Sequence, residues 1–119
     1  MQVLLVEDEI VTRESARITL ESLGYTVTAV GNGGDAVRAF ELQPFDVVVM
    51  DIKMPGMDGI EATRRIRSSN SLQSGVPIIA LTGFTLRELP GIHEAGINAF
   101  IEKPFEFSKL IRTIRTLAA

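Results

Sequence analysis

The stretch VVVMDIKMPGMDGIEATRRIR, residues 47–67, decides the fold. Four apolar residues, Val47, Val48, Val49 and Met50, end abruptly in Asp51. A run apolar on both faces suits a strand inside a parallel sheet, because helices cover such a sheet on either side. Met-Pro-Gly then turns the chain. Asp58 and Glu61 have capping-box spacing: the Asp side chain can accept from the amide three residues on, and the Glu can reach back. A helix to about Arg67 follows. Strand, turn and helix together put one carboxylate at the carboxyl end of a buried strand.

The alternation continues in both directions. Residues 3–6 (VLLV) read as a buried strand. Residues 10–23 read as a helix with Ala16, Leu20 and Leu23 on one face and Gly24 as its stop. Residues 25–30 alternate as a more exposed strand, GNGG turns, and 35–42 form a short helix. Residues 76–81 (VPIIAL) and 99–101 (AFI) supply a fourth and a fifth strand, and a last helix aligns Leu110, Ile114 and Leu117. Pro90 fits a first helical position, which predicts a short fourth helix over 90–95 closed by Gly96. Five strands separated by helices imply an α/β sandwich with a parallel sheet. Its 119 residues suffice for one domain, 1–119, and not for two.

Composition narrows the function. The net charge of −3 argues against direct nucleic-acid binding, which needs a basic face. Without cysteine there are no disulfides or thiolate metal sites, and one histidine cannot build an ordinary zinc site. No apolar run approaches the ~20 residues of a membrane helix, and MQVLLVEDE turns acidic too soon for a signal peptide. The expectation is a cytoplasmic domain with no membrane partner.

The polar residues that follow the strands carry the chemistry. The first strand ends in Glu7 and Asp8, the third in Asp51, the fourth in Thr82, and the fifth, after Glu102, in Lys103. In an open parallel sheet, sites form outside the carboxyl ends of the strands. Two carboxylates at ~4 Å repel by about 4 kcal/mol at an effective dielectric of 20. Such a cluster needs compensation: Lys103 offers one positive charge, and a hard divalent cation such as Mg²⁺ offers two. Acids, metal, lysine and hydroxyl make a phosphoryl-transfer site, which works by positioning and charge neutralisation. Asp51 is the candidate nucleophile and point of phosphorylation. Asp8 and Asp51 would hold Mg²⁺, with Glu7 through water and the backbone carbonyl of Lys53 as a further ligand. Lys103 and Thr82 would take phosphoryl oxygens.

These segments resemble a known family. VEDE near the start, VVVMDIKMPGMDG, ALTG and IEKPF are similar, in order and spacing, to the receiver domain of two-component response regulators, the CheY-like superfamily. The resemblance implies a flavodoxin-like (βα)₅ fold with strand order 2-1-3-4-5. It implies that Asp51 accepts a phosphoryl group from a phosphohistidine on a histidine kinase or histidine phosphotransfer domain. Glu7 and Asp8 match the acidic pair, Thr82 the switch hydroxyl, Lys103 the family's lysine and Phe100 the switch aromatic. Lys103-Pro104 matches a bond usually cis in the family. Phosphorylation adds nearly two negative charges. Thr82 would move toward them, Phe100 would turn inward, and the surface around the fourth helix and fifth strand would change. The protein would then be a switch and not an enzyme, with at most self-catalysed transfer and slow autodephosphorylation. Its setting would be stand-alone, or part of a larger regulator or hybrid sensor kinase, with a downstream target or fused output domain. Phe84, two residues beyond Thr82, would impede the hydrolytic water.

Three other readings compete. GNGGDA, residues 31–36, fits a dinucleotide fingerprint, but a Rossmann-type nucleotide-binding domain leaves Glu7, Asp8, Thr82 and Lys103 without roles. A haloacid-dehalogenase-type phosphatase needs a second acid where Lys53 stands. A degenerate receiver acting only as a protein-binding module would have lost an acid or the lysine, and all are present. His93 reads as a surface residue of the short fourth helix, Met50, Met54 and Met57 as packing and loop residues, and TRRIR (63–67) as a solvated face with Ile66 inward.

Overall fold

The computed structural model describes residues 1–69, 73–83 and 89–118. Five parallel strands, β1 (Gln2–Val6), β2 (Thr26–Val30), β3 (Val47–Asp51), β4 (Ile78–Thr82) and β5 (Ala99–Glu102), lie in the order β2-β1-β3-β4-β5. The helices among the described residues are α1 (Ile10–Ser22), α2 (Gly33–Leu42), α3 (Gly59–Arg67) and α4 (Phe107–Ala118). The strand order reverses between β1 and β3, so the crevice of a doubly wound sheet opens above those two strands.

Period-two alternation divides the core between the faces. Val3 and Leu5 of β1, Val47 and Val49 of β3, and Ile79 and Leu81 of β4 pack against Ala16 and Leu20 of α1 and Leu110 and Ile114 of α4. Leu4, Val6, Val48, Met50 and Ile78 point the other way, onto Ala36 and Phe40 of α2 and Ala62 and Ile66 of α3. β3 is buried at every position, as its uninterrupted apolar run requires, while β2 at the edge is only partly covered.

Local chemistry sets the helix ends. Asp58 caps α3 by accepting from the Glu61 amide at 2.9 Å, and Glu61 itself pairs with Arg65. Glu9 caps α1 with both carboxylate oxygens, on the amides of Val11 and Thr12. Asn32 caps α2 through the Asp35 amide at 2.7 Å. That cap and Gly33, where a Cβ would stand 2.5 Å from the Met57 carbonyl, account for GNGG. The stretch follows the edge strand β2, away from the β1–β3 crevice that a dinucleotide would occupy.

Three expectations are corrected. The short helix over 90–95 does not form: described residues 89–96 are turns, because Gly91 takes φ +77° within the span and breaks the helical path. Gly96, at φ +100°, still closes the segment. Leu23, placed on the inner face of α1, caps the helix and is half exposed, since the chain has already turned toward Gly24. TRRIR is not one solvated face: Thr63 is fully buried, and Arg67 is drawn into a backbone cradle.

Candidate functional site

The carboxyl ends of β1, β3 and β4 and the loop after β5 meet at one rim. Asp51 is the last residue of β3 and Thr82 the last of β4; both are buried. Glu7 follows β1, its amide donating to the Val30 carbonyl at 3.1 Å, and its side chain is 2% exposed. Asp8 is partly exposed beside it. Carboxylate oxygens of Glu7, Asp8 and Asp51 all lie within 4.8 Å of one another.

Lys103 reaches this cluster from the loop after β5. Its amide donates to the Thr82 carbonyl at 2.8 Å, which fixes the start of that loop, and the Lys103-Pro104 bond is cis. The ammonium stands 3.0 Å from Glu7 Oε1 and 3.1 Å from Asp51 Oδ2, bridging two strand ends. Burial alone would lower the Lys103 pKa, but the hydrogen bond to Glu7 and the charges of Asp51 and Glu7 prevail and hold it above the usual lysine range. Glu7 is pushed up, first by burial and next by its hydrogen bond with Asp51, against the pull of Lys103.

The donor set suits a hard cation. It comprises clustered carboxylate oxygens, one of them on a partly exposed residue, and no soft ligand. Lys53 lies in the exposed loop after β3 and lines, with Ile52, Asp58, Leu89 and Pro90, a cleft of about 420 Å³. Phe100, the second residue of β5, is half-buried, with Ala80 as its Cα partner on β4. Phe84 lies outside the described residues.

The structure brings Glu7, Asp8, Asp51 and Lys103 together within contact distance, with Thr82 ending the next strand. It also shows two contacts the sequence reading passed over. Arg13 donates to the Glu7 carbonyl at 3.1 Å, bracing the turn that carries the acidic pair. His93 is exposed as expected, but its ring faces Phe100 at 6.1 Å. Arg13 lies one helical turn past Glu9, a spacing that could have marked it. No sequence signal joins residues 93 and 100.

A doubly wound sheet with an acidic, lysine-bridged rim at its switch point defines a class of α/β domains whose site lies at the carboxyl ends of the strands. Comparison with known proteins narrows that class. The profile of the response regulator receiver domain matches residues 3–115, and the chain belongs to that family, the receiver domains of two-component signalling. It is 39% identical over 115 residues to the transcriptional regulatory protein PdtaR of Mycobacterium tuberculosis, covering 95% of this chain and 54% of that protein. It is 36% identical over 114 residues to the CAI-1 autoinducer sensor kinase/phosphatase CqsS of Vibrio cholerae, covering 95% of this chain and 17% of that one. The chain thus spans about half or less of these relatives. The receiver domain of the sensor histidine kinase PA1611 from Pseudomonas aeruginosa PAO1 superposes with a TM-score of 0.89 at 40% identity, covering 98% of this chain and 96% of that one. That structure holds a magnesium ion in its active site cleft. No helix among the described residues is long and apolar enough to cross a membrane.

Proposed function

We propose that this domain accepts a phosphoryl group on Asp51 from a phosphohistidine of a histidine kinase or histidine phosphotransfer domain in the cytoplasm. The observation that carries this reading is the bridge from Lys103 to Glu7 and Asp51 inside a cluster of three acids. An Asp51 oxygen attacks phosphorus, the P–N bond breaks, and the leaving imidazole takes up a proton. Asp8 and Asp51 would hold Mg²⁺, with Glu7 through water and the Lys53 backbone carbonyl as a further ligand, and a bound ion would supply charge neutralisation for the phosphoryl oxygens. Lys103 contributes a further positive charge, and Thr82 a hydroxyl donor, to the same oxygens. The set contains no acid at position 53 to activate water, which favours a persistent mark over rapid turnover.

The partner's approach is supported by the surface beside the rim. Ile10 and Val11 are exposed at the start of α1, 65% and 73% respectively. A groove of about 530 Å³ beside them is lined by Val11, Thr12, Lys103, Pro104, Phe105 and Phe107. An apolar partner helix seated there would bring its histidine within reach of Asp51.

The switch would run through Thr82 and Phe100. Drawing Thr82 toward a phosphorylated Asp51 frees space on the face shared with Ala80, and Phe100 turns into it. The surface that changes is then the β4–β5 connection with β5. Incubation with acetyl phosphate and Mg²⁺ followed by intact mass tests the reading. One phosphoryl group should be gained by the wild type and none by Asp51→Asn. No gain in either protein would favour a purely protein-binding role.

A further inference from the structure

We propose that His93 is a positioning residue for Phe100: its ring holds the Phe100 side chain in its present, half-buried place and so sets the threshold that phosphorylation must overcome. The inference rests on the phosphoacceptor reading and adds to it a residue that restrains the switch. The two ring centroids are 6.1 Å apart with the planes tilted by 57°. That falls within the spacing and orientation at which aromatic pairs attract.

The restraint has a direction because His93 sits on a fixed base. Ile92 before it is fully buried and Ala95 after it is 3% exposed, both packed with Ile52, Ile60 and Ala80. The Gly96 carbonyl accepts from Arg67 Nε at 2.9 Å and Nη2 at 2.7 Å. The same guanidinium donates to Asn98 Oδ1 at 2.8 Å, and that oxygen also accepts from the Ile78 amide. The backbone on both sides of His93 is therefore tied to α3, β4 and the core. Phe100 stands opposite Ala80, on the face that also carries Thr82, and packs with Ala80 and Ile92. If Phe100 turns inward, His93 cannot follow, and the ring contact is lost. A contact made in only one of two states biases the balance toward that state by its full strength.

Calorimetric titration with beryllofluoride at saturating Mg²⁺ reads that balance, because apparent affinity scales with the fraction of protein already competent. His93→Ala should bind about 2- to 5-fold more tightly than the wild type, the range expected for an exposed ring pair. His93→Phe, which keeps a ring in place, should stay near the wild type. His93 is exposed, so neither change threatens the core. Unchanged or weaker binding by His93→Ala overturns the proposal, as does His93→Phe binding as tightly as His93→Ala. Equal affinity in all three proteins removes only the role of His93. No saturable binding even by the wild type sinks the phosphoacceptor reading, and this inference with it.

Discussion

Glu7→Gln should stabilise the metal-free protein. Carboxylate oxygens of Glu7, Asp8 and Asp51 lie within 4.8 Å of one another. At that spacing, with an effective dielectric of 20, each pair repels by about 3.5 kcal/mol, and ionised Glu7 takes part in two pairs. Its attraction to Lys103 at 3.0 Å returns about 5.5 kcal/mol on the same scale. The ionised side chain is thus unfavourable by about 1.5 kcal/mol, and desolvation at 2% exposure acts in the same direction. Glutamine keeps an oxygen for Lys103 and gains an N–H for Asp51. For a chain of this length the melting temperature should rise by about 5 °C in a chelator. The raised pKa of Glu7 fixes the pH dependence. The folded protein holds this proton more tightly than the unfolded chain, so the penalty is full above the raised value. It is relieved as pH falls through that value toward 4.5, and the gap between variant and wild type should close over the same range. Millimolar Mg²⁺ should raise the wild type more than the variant, because only the native cluster binds it fully. Paired thermal melts in chelator and in Mg²⁺ provide the assay. A variant that melts below the wild type in chelator would refute the reasoning.

Arg67→Ala strips donors from the carbonyls of Ser74, Val76 and Gly96 and from Asn98. It should cost about 2–3 kcal/mol in urea unfolding, with Arg67→Lys recovering only part, because an ammonium cannot span the same acceptors. Gly59→Ala would place a Cβ 2.5 Å from the Asp51 carbonyl oxygen and 2.8 Å from Ile52 Cα, both backbone atoms. About 1–3 kcal/mol of lost stability is expected from that overpacking, read in the same unfolding curves. Glu9 is held below the usual glutamate range, first by its bond to the Thr12 amide. Its capping contribution is present above its unfolded pKa and lost as pH falls through the lowered folded value. Glu9→Gln should therefore destabilise the protein at neutral pH and make little difference in strong acid, as melts across pH would show.

The parts of the fold legible in the sequence were those set by periodicity and punctuation. VVVM could be buried on both faces only within a parallel sheet, and the aspartate after it had to emerge at the rim. Asp58 announced α3 by its spacing to Glu61. The connection between β4 and β5 was harder to read, because Pro90 signalled a helix start and Gly91 signalled a turn. The turn prevailed once Ile92 and Ala95 could bury without a helix. Arg67 looked like one more charge in a basic run, since its acceptors lie 7 to 31 residues away and leave no local pattern. The acids and lysine of the site could be named because each ends a strand or lies within two residues of a strand's end. Their order of burial could not: Glu7, expected behind water, is buried against Lys103, while Asp8 is partly exposed. That depends on how the turn after β1 folds, with Arg13 bracing it.

Position-specific trapping of the phosphoryl group tests the central claim most directly. After phosphorylation, borohydride reduces an aspartyl phosphate to homoserine, and peptide sequencing by mass spectrometry locates it. Homoserine at position 51 and at no other acid is the expected result. Homoserine at position 8 instead, 2-amino-5-hydroxypentanoic acid at position 7, or no reduced residue in protein that has demonstrably gained a phosphoryl group, would contradict the assignment.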